Sequence, residues 1–203
     1  MNRLSRRAFA GAAAAALLTG CGGPHSPARP EADRPAGTHT PGRPSTRPVR
    51  AAARSVPVRL RIPAIGVDTP LLRLGLAPDG TVQVPPVTAH DRAGWYRHSP
   101  TPGQTGPSVI LGHVTVGAYG DGVFRHLDRL RPGDRIVTRL ENGTSARFDV
   151  TRVRTVAKAD FPTKEVYGDV DRPELRLITC GGPRTGDGYL DNVIVFAALS
   201  ASR

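Results

Sequence analysis

Two residues in this chain have the type and setting of a covalent catalyst. Cys180 ends the β-type run of "ELRLITCGGP" (Glu174 to Pro183) and is followed by two glycines. His113 ends the run of "PSVILGHVT" in a similar way, a polar group at the close of an apolar stretch with glycine adjacent. A free thiol, with pKa ~8.5, is mostly protonated at neutral pH, so a nucleophilic cysteine needs a base or a cationic partner. Such a pair supports acyl transfer, in which the thiolate attacks a carbonyl and the imidazole carries the proton. Other histidines are less suited: His25 and His39 lie in a Pro-rich stretch, His90 and His98 flank the turn-rich "TAHDRAGWYRHSPTPG", and His126 neighbours Asp128. Taken alone, His113 also reads as a satisfied core or turn histidine, and Cys180 as a small buried hydrophobe.

The elements that would position these groups are strands. From Ser55 onward the periodicity is two: "VPVRLRI" alternates apolar and polar, "TVQV" is short and β-rich, and "DRIVTRL-ENG-TSARFDVTRVRTV" predicts a hairpin turning at Asn142-Gly143. "ELRLITC" and "DNVIVFAAL" follow. Short strands with Pro- and Gly-rich connections predict an all-β sandwich or barrel of seven or eight strands. One short helix is expected over "GVFRHLDRL" (Gly122 to Leu130), stopped by Pro132-Gly133. Neighbouring strands lie only ~4.8 Å apart, so two strand ends in one sheet can bring Cys180 and His113 together.

The N-terminus is a different material. "MNRLSRRAFAGAAAAALLTGCGG" has a basic start, an apolar run from Ala8 to Leu18, and small residues before Cys21. This is the layout of an export signal, and the apolar run would rise only ~16 Å as a helix, about half of a ~30 Å hydrocarbon core. "SRRAFA" resembles a twin-arginine signal and "LTGC" a lipobox, which implies lipidation at Cys21 and a signal ending there. With Cys21 so used, Cys180 is a lone thiol in an exported protein. Residues 22 to 54, with seven prolines, repeated arginine and almost no large apolar residue, read as a disordered tether. The first 54 residues hold nine arginines against Glu31 and Asp33, a net of +7, leaving +4 of the total +11 for residues 55 to 203. The high charge thus belongs mainly to the signal and tether, which points to an anionic membrane surface and away from nucleic acid.

The order "LGH", "FRHLDRLRPGDRI", "LRLITCGG" and "DNVIVFA" resembles the sortase family, whose signature strand ends in Thr-Leu-Thr-Cys or a close variant. The likeness runs from about Val56 to Leu199. Through "IPAIGVDTPL", "AGWYRHSPTPG" and "TCGGP" it is most similar to the class F sortases of actinobacteria. The resemblance implies an eight-stranded β-barrel with one or two short helices over residues 55 to 203, and cysteine transpeptidase chemistry. Cys180 would attack the Thr–Gly carbonyl of an LPXTG-like sorting signal to form a thioester. His113 would protonate the leaving amine and deprotonate the incoming one. The family also carries an arginine on the strand after the cysteine, for substrate and oxyanion. This sequence departs there: Asn192 falls at that position, and Arg184, in the loop past Cys180, could return the charge.

The implied partners are secreted proteins with a C-terminal sorting signal, an amine acceptor of the cell wall, and the membrane through the N-terminus. The protein would work at the extracytoplasmic face. No cofactor is implied. Asp121, Asp128 and Glu141 do not form a calcium-loop pattern, and no Cys or His cluster has zinc spacing. Two other readings remain at this level. One is a cell-wall L,D-transpeptidase-like cysteine enzyme, although Cys180 follows threonine where that class would have glycine. The other is a non-enzymatic lipoprotein binding module.

Overall fold

The computed structural model describes residues 54–201 apart from Asp187. The expected export signal, the lipidation site Cys21 and nearly all of the 22–54 tether lie outside the described residues. Eight strands close a barrel: β1 (Pro57–Ile62), β2 (Val67–Leu74), β3 (Ala93–Tyr96), β4 (Gly106–Leu111), β7 (Arg135–Leu140), β8 (Ser145–Ala157), β9 (Pro173–Thr185) and β10 (Gly188–Leu199). Around the barrel the order is β1-β2-β3-β4-β9-β10-β8-β7, and β7 pairs back onto β1. A two-stranded ribbon of β5 (Thr115–Val116) and β6 (Gly120–Asp121) stands beyond β4, and one short helix, α1 (Thr163–Tyr167), precedes β9.

The period-two reading is realised strand by strand. On β1, Leu60 and Ile62 are fully buried while Arg59 and Arg61 face water. The inward set includes Trp95, Ile110, Phe148, Leu175, Leu177, Val193 and Val195, a continuous apolar interior. The long β8–β10 strands carry the extended pairings that close the barrel's far wall. Asn142-Gly143 does turn the β7–β8 hairpin, with Gly143 at φ 81° and the Asn142 side chain accepting from Thr144. "TVQV" is not a strand. It enters only an isolated bridge, Leu76 with Val82, inside the loop between β2 and β3. "GVFRHLDRL" is not an α-helix either. Its N–H groups reach three residues back, Arg125 to Gly122, Leu127 to Phe124 and Leu130 to Leu127, which winds tight 3₁₀-type turns.

Strand β4 is buried along all six residues, because both of its faces are covered. Ile110 points into the barrel; Val109 and Leu111 point outward into a second apolar layer with Leu74, Ile178, Ile194, Phe196 and Val166 of α1. That outer layer is fastened by a buried ion pair on β9. Arg176, 3% exposed, binds Glu174 at 2.5 Å, donates to the Glu165 carbonyl of α1, and lies 4.6 Å from the Phe196 ring centroid. Glu174 keeps a second partner in exposed Arg172. Outside, Glu165 binds both Arg152 and Arg154 of β8, and these guanidinium contacts hold its carboxyl below the usual range.

The pair is asymmetric, which sets a prediction. Glu174→Leu strands a buried guanidinium beside main-chain carbonyls and should cost about 3–5 kcal/mol, whereas Arg176→Leu leaves Glu174 with Arg172 and should cost less. Urea unfolding midpoints of the two variants measure the difference.

Candidate functional site

Strands β4 and β9 run parallel and adjacent, with Leu111 opposite Ile178. The Gly112 N–H extends the ladder by donating to the Ile178 carbonyl at 3.1 Å. The expected strand-end cysteine is not found: β4 stops at Leu111, while β9 runs past Cys180 to Thr185 because it goes on pairing with β10, so the thiol lies within a strand. Leu111, Ile178 and Ile194 form one outward-facing row across β4, β9 and β10. Two residues further along, Cys180 stands opposite Asn192, and His113 follows two residues after Leu111, the last paired residue of β4. His113, Cys180 and Asn192 are all partly exposed. Cys180 is a free cysteine.

The backbone around His113 is held tightly. Its carbonyl accepts from the Phe124 N–H at 2.9 Å, and Gly122 N–H donates to Val114 at 2.9 Å. Gly122 has to be glycine here: a Cβ would lie 2.3 Å from the His113 carbonyl oxygen. The imidazole Nε2 lies 2.6 Å from the Pro85 carbonyl, in the loop between β2 and β3. Beyond the ring, Thr115 of β5 shares a 2.7 Å hydrogen bond with the Tyr189 hydroxyl, tying the ribbon to the β9–β10 hairpin.

Cys180 also borders a recess of about 320 Å³ at the barrel mouth, together with Thr179, Gly181, Tyr189 and Arg125. The Thr179 hydroxyl is buried there and has no partner among the described residues. The two glycines after the cysteine serve packing. A Cβ on Gly181 would meet Val193 Cγ2 at 2.6 Å, and one on Gly182, at φ +71°, would meet the Asp191 carboxylate at 2.0 Å. Their small size is therefore used against β10, and not only to leave room for a ligand.

The arginines near the row are engaged elsewhere. Arg176 is sealed under the outer layer with Glu174. Arg184 is exposed on the hairpin, opposite Tyr189 in register and 5.9 Å from its ring centroid. It sits four residues past the cysteine, ~13 Å along an extended strand, though a register shift bends the hairpin between Tyr189 and Asp191. Arg125 pairs with Asp121 at 3.0 Å. Sequence reading had no signal for Arg125 or Pro85, which reach the site through turns. Asn192 differs: its side-chain amide makes no hydrogen bond among the described residues, leaving two N–H donors beside the thiol.

A groove of about 640 Å³ lies on the same outer face, two rows below. Pro107 and Val109 of β4 form its floor, Phe161 and Tyr167 one wall, and Leu76 and Val82 another. Tyr96 and Tyr167 meet edge to face at 6.4 Å, and burial with Tyr96 alongside pushes the Tyr167 phenol up. Trp95, its neighbour on β3, is instead sealed inside the barrel. Among the described residues no three His, Cys, Asp or Glu side chains gather as a metal site.

Comparisons with known proteins agree with the eight-stranded barrel. The sortase-domain family model matches residues 60–200. Solved structures of similar fold include sortase C-1 from Actinomyces oris, 22% identical, with TM-score 0.56 over 72% of this chain and 76% of that one. A lid mutant of sortase A from Corynebacterium diphtheriae is 20% identical, with TM-score 0.55 over 75% and 74%. Sortase C1 from Streptococcus agalactiae is 20% identical, with TM-score 0.55 over 72% and 68%. No curated protein matches by sequence. With two thirds of its length in the sortase domain and an eight-stranded barrel around it, the chain belongs to the sortase family.

Proposed function

We propose that this sortase cleaves an LPXTG-like sorting signal between Thr and Gly and transfers the protein to an amine acceptor of the cell wall. The observation that supports it most is the pairing of Cys180 with Asn192 on β9 and β10, beside β4, which His113 follows by two residues. The Cys180 thiolate attacks the threonine carbonyl, and the electron pair collapses from the tetrahedral oxyanion to expel the glycine amine, which takes its proton from His113. The acyl group is left as a thioester. An incoming amine then attacks it, His113 takes that proton, and the thiolate leaves. The aromatic groove over Pro107 and Val109 of β4, lined by none of His113, Cys180 and Asn192, would take an extended apolar peptide segment.

In this reading Asn192 replaces the strand-borne arginine of the family and donates N–H bonds to the oxyanion. Arg184, out on the hairpin, meets the substrate. Its "IPAIGVDTPL", "AGWYRHSPTPG" and "TCGGP" segments favour class F among sortases. The "LTGC" motif favours a lipid anchor at Cys21, with the enzyme held at the extracytoplasmic face by the arginine-rich segment that follows.

Incubation of the protein with an LPXTG-type peptide and an amine acceptor should yield a thioester on Cys180 and a transfer product. Neither species across several such peptides would overturn the reading. Cys180→Ala should abolish both species while leaving the urea midpoint nearly unchanged. Asn192→Ala should lower kcat by about a hundredfold with little change in KM, as loss of one oxyanion donor does. Arg184→Ala should instead raise KM. Mass spectrometry of the mature protein should find a diacylated Cys21 at the N-terminus; an intact Met1 would refute the anchor.

A further inference from the structure

The Pro85 carbonyl lies 2.6 Å from His113 Nε2. A carbonyl oxygen only accepts, so at this distance Nε2 carries the proton and donates it. In the neutral ring, Nδ1 is then the one nitrogen with a free lone pair. We propose that the Pro85 carbonyl is a positioning group that fixes His113 in its Nε2–H tautomer, so that Nδ1 performs the proton transfers with Cys180 and the two amines. This rests on the catalytic role given to His113 above.

The loop is built to hold that one acceptor still. Its base is closed by a reciprocal pair, Gly75 N–H to the Gln83 side-chain oxygen at 2.8 Å and Gln83 N–H to the Gly75 carbonyl at 3.1 Å. Pro85 is buried, and Pro86 follows it with φ −55° and ψ 145°. Two consecutive prolines fix φ at both positions, and the peptide unit between them has an acceptor but no N–H. The next carbonyl along, that of Pro86, is taken by the Ala89 N–H at 2.8 Å. Further on, the His90 carbonyl accepts from the Val123 N–H at 2.9 Å, while the His113 carbonyl accepts from Phe124, the very next residue, also at 2.9 Å. Acceptor and imidazole are thus anchored to adjacent residues of one segment, and their relative position is fixed from both sides.

The same contact admits an opposite reading, in which the loop is a cover that ties up the histidine and has to leave before catalysis. The partial exposure of Cys180 speaks against it, because the thiol is not shut off by the loop. The two readings give opposite signs. If the carbonyl orients the ring, relaxing the prolines lowers turnover; if the loop covers the site, relaxing it raises turnover.

The experiment uses the full chain with Pro85→Gly/Pro86→Gly and, as a milder change in case the first does not fold, Pro86→Ala. Val87→Ala, an exposed residue of the same loop, is the control. Two readouts are taken. The ¹⁵N shifts of the His113 ring, measured in a Cys180→Ala background, should show a single Nε2–H tautomer that becomes a mixture in the diproline variants. This readout does not depend on any peptide being cut, so it separates failure of the positioning role from failure of the transpeptidase reading. With a peptide that wild type turns over, kcat should fall about tenfold to a hundredfold with KM held, the range expected when a catalytic group is misplaced. A tautomer unchanged by the substitutions, or a kcat that is unchanged or rises, would overturn the proposal.

Discussion

The site depends on one constraint, the parallel pairing of β4 with β9. Antiparallel neighbours would have put His113 and Cys180 at opposite edges of the sheet. Parallel neighbours run the same way, so His113, just past β4, and Cys180 of β9, 67 residues apart in sequence, lie toward the same edge of the sheet. Parallel strands also need cover on both faces, and β4 has it: the barrel interior on one side, and on the other the apolar layer under α1. The Arg176–Glu174 pair and the Glu165 contacts hold that outer layer in place. The buried ion pair and Cys180 thus share β9, on the same face, a few residues apart.

Alternation along β9 then decides what each residue can do. Leu175, Leu177 and Thr179 turn inward, while Arg176, Ile178 and Cys180 turn outward. A register slip by one residue would bury the thiol in the barrel and expose Thr179. Register here is pinned by the long pairing with β10 and by contacts that tolerate no side chain, Gly181 against Val193 and Gly182 against Asp191. The glycines that draw the eye in "TCGGP" are thereby part of what aims the cysteine.

Much of this was legible in the sequence, and the reasons are local. Period-two runs gave β1, β7, β8, β9 and β10, and Asn142-Gly143 gave its hairpin, because these follow from side-chain alternation and turn geometry alone. Errors came where tertiary contacts overrode local preference. "TVQV" has β-type residues but is drawn into a closed loop by Gln83 bonding back to Gly75. "GVFRHLDRL" has helical spacing, yet its N–H groups bond three residues back and wind only tight turns, while Val123 and Phe124 tie its start to His90 and His113. Trp95 and Tyr96 are consecutive on β3, and strand alternation sends one inside and the other to the groove. The role of Pro85 was invisible because it lies in a single carbonyl oxygen, a group every residue has.

In the proposed site, Asn192 stands where the family resemblance implies an arginine. Guanidinium groups are abundant around the row, but each is engaged: Arg176 under the outer layer, Arg125 on Asp121, Arg152 and Arg154 on Glu165, and Arg184 against Tyr189. Moving Arg176 to the thiol would break the buried pair that holds the outer layer, whereas Arg125 and Arg184 make only exposed contacts. Asn192 needs no such rearrangement, since it already faces Cys180 across the β9–β10 pair with its amide unengaged among the described residues. An amide places two donors without charge, so it stabilises an oxyanion through hydrogen bonds alone. A site of the proposed kind would rely more heavily on the exact placement of its proton carrier, the role proposed for the Pro85 carbonyl against His113.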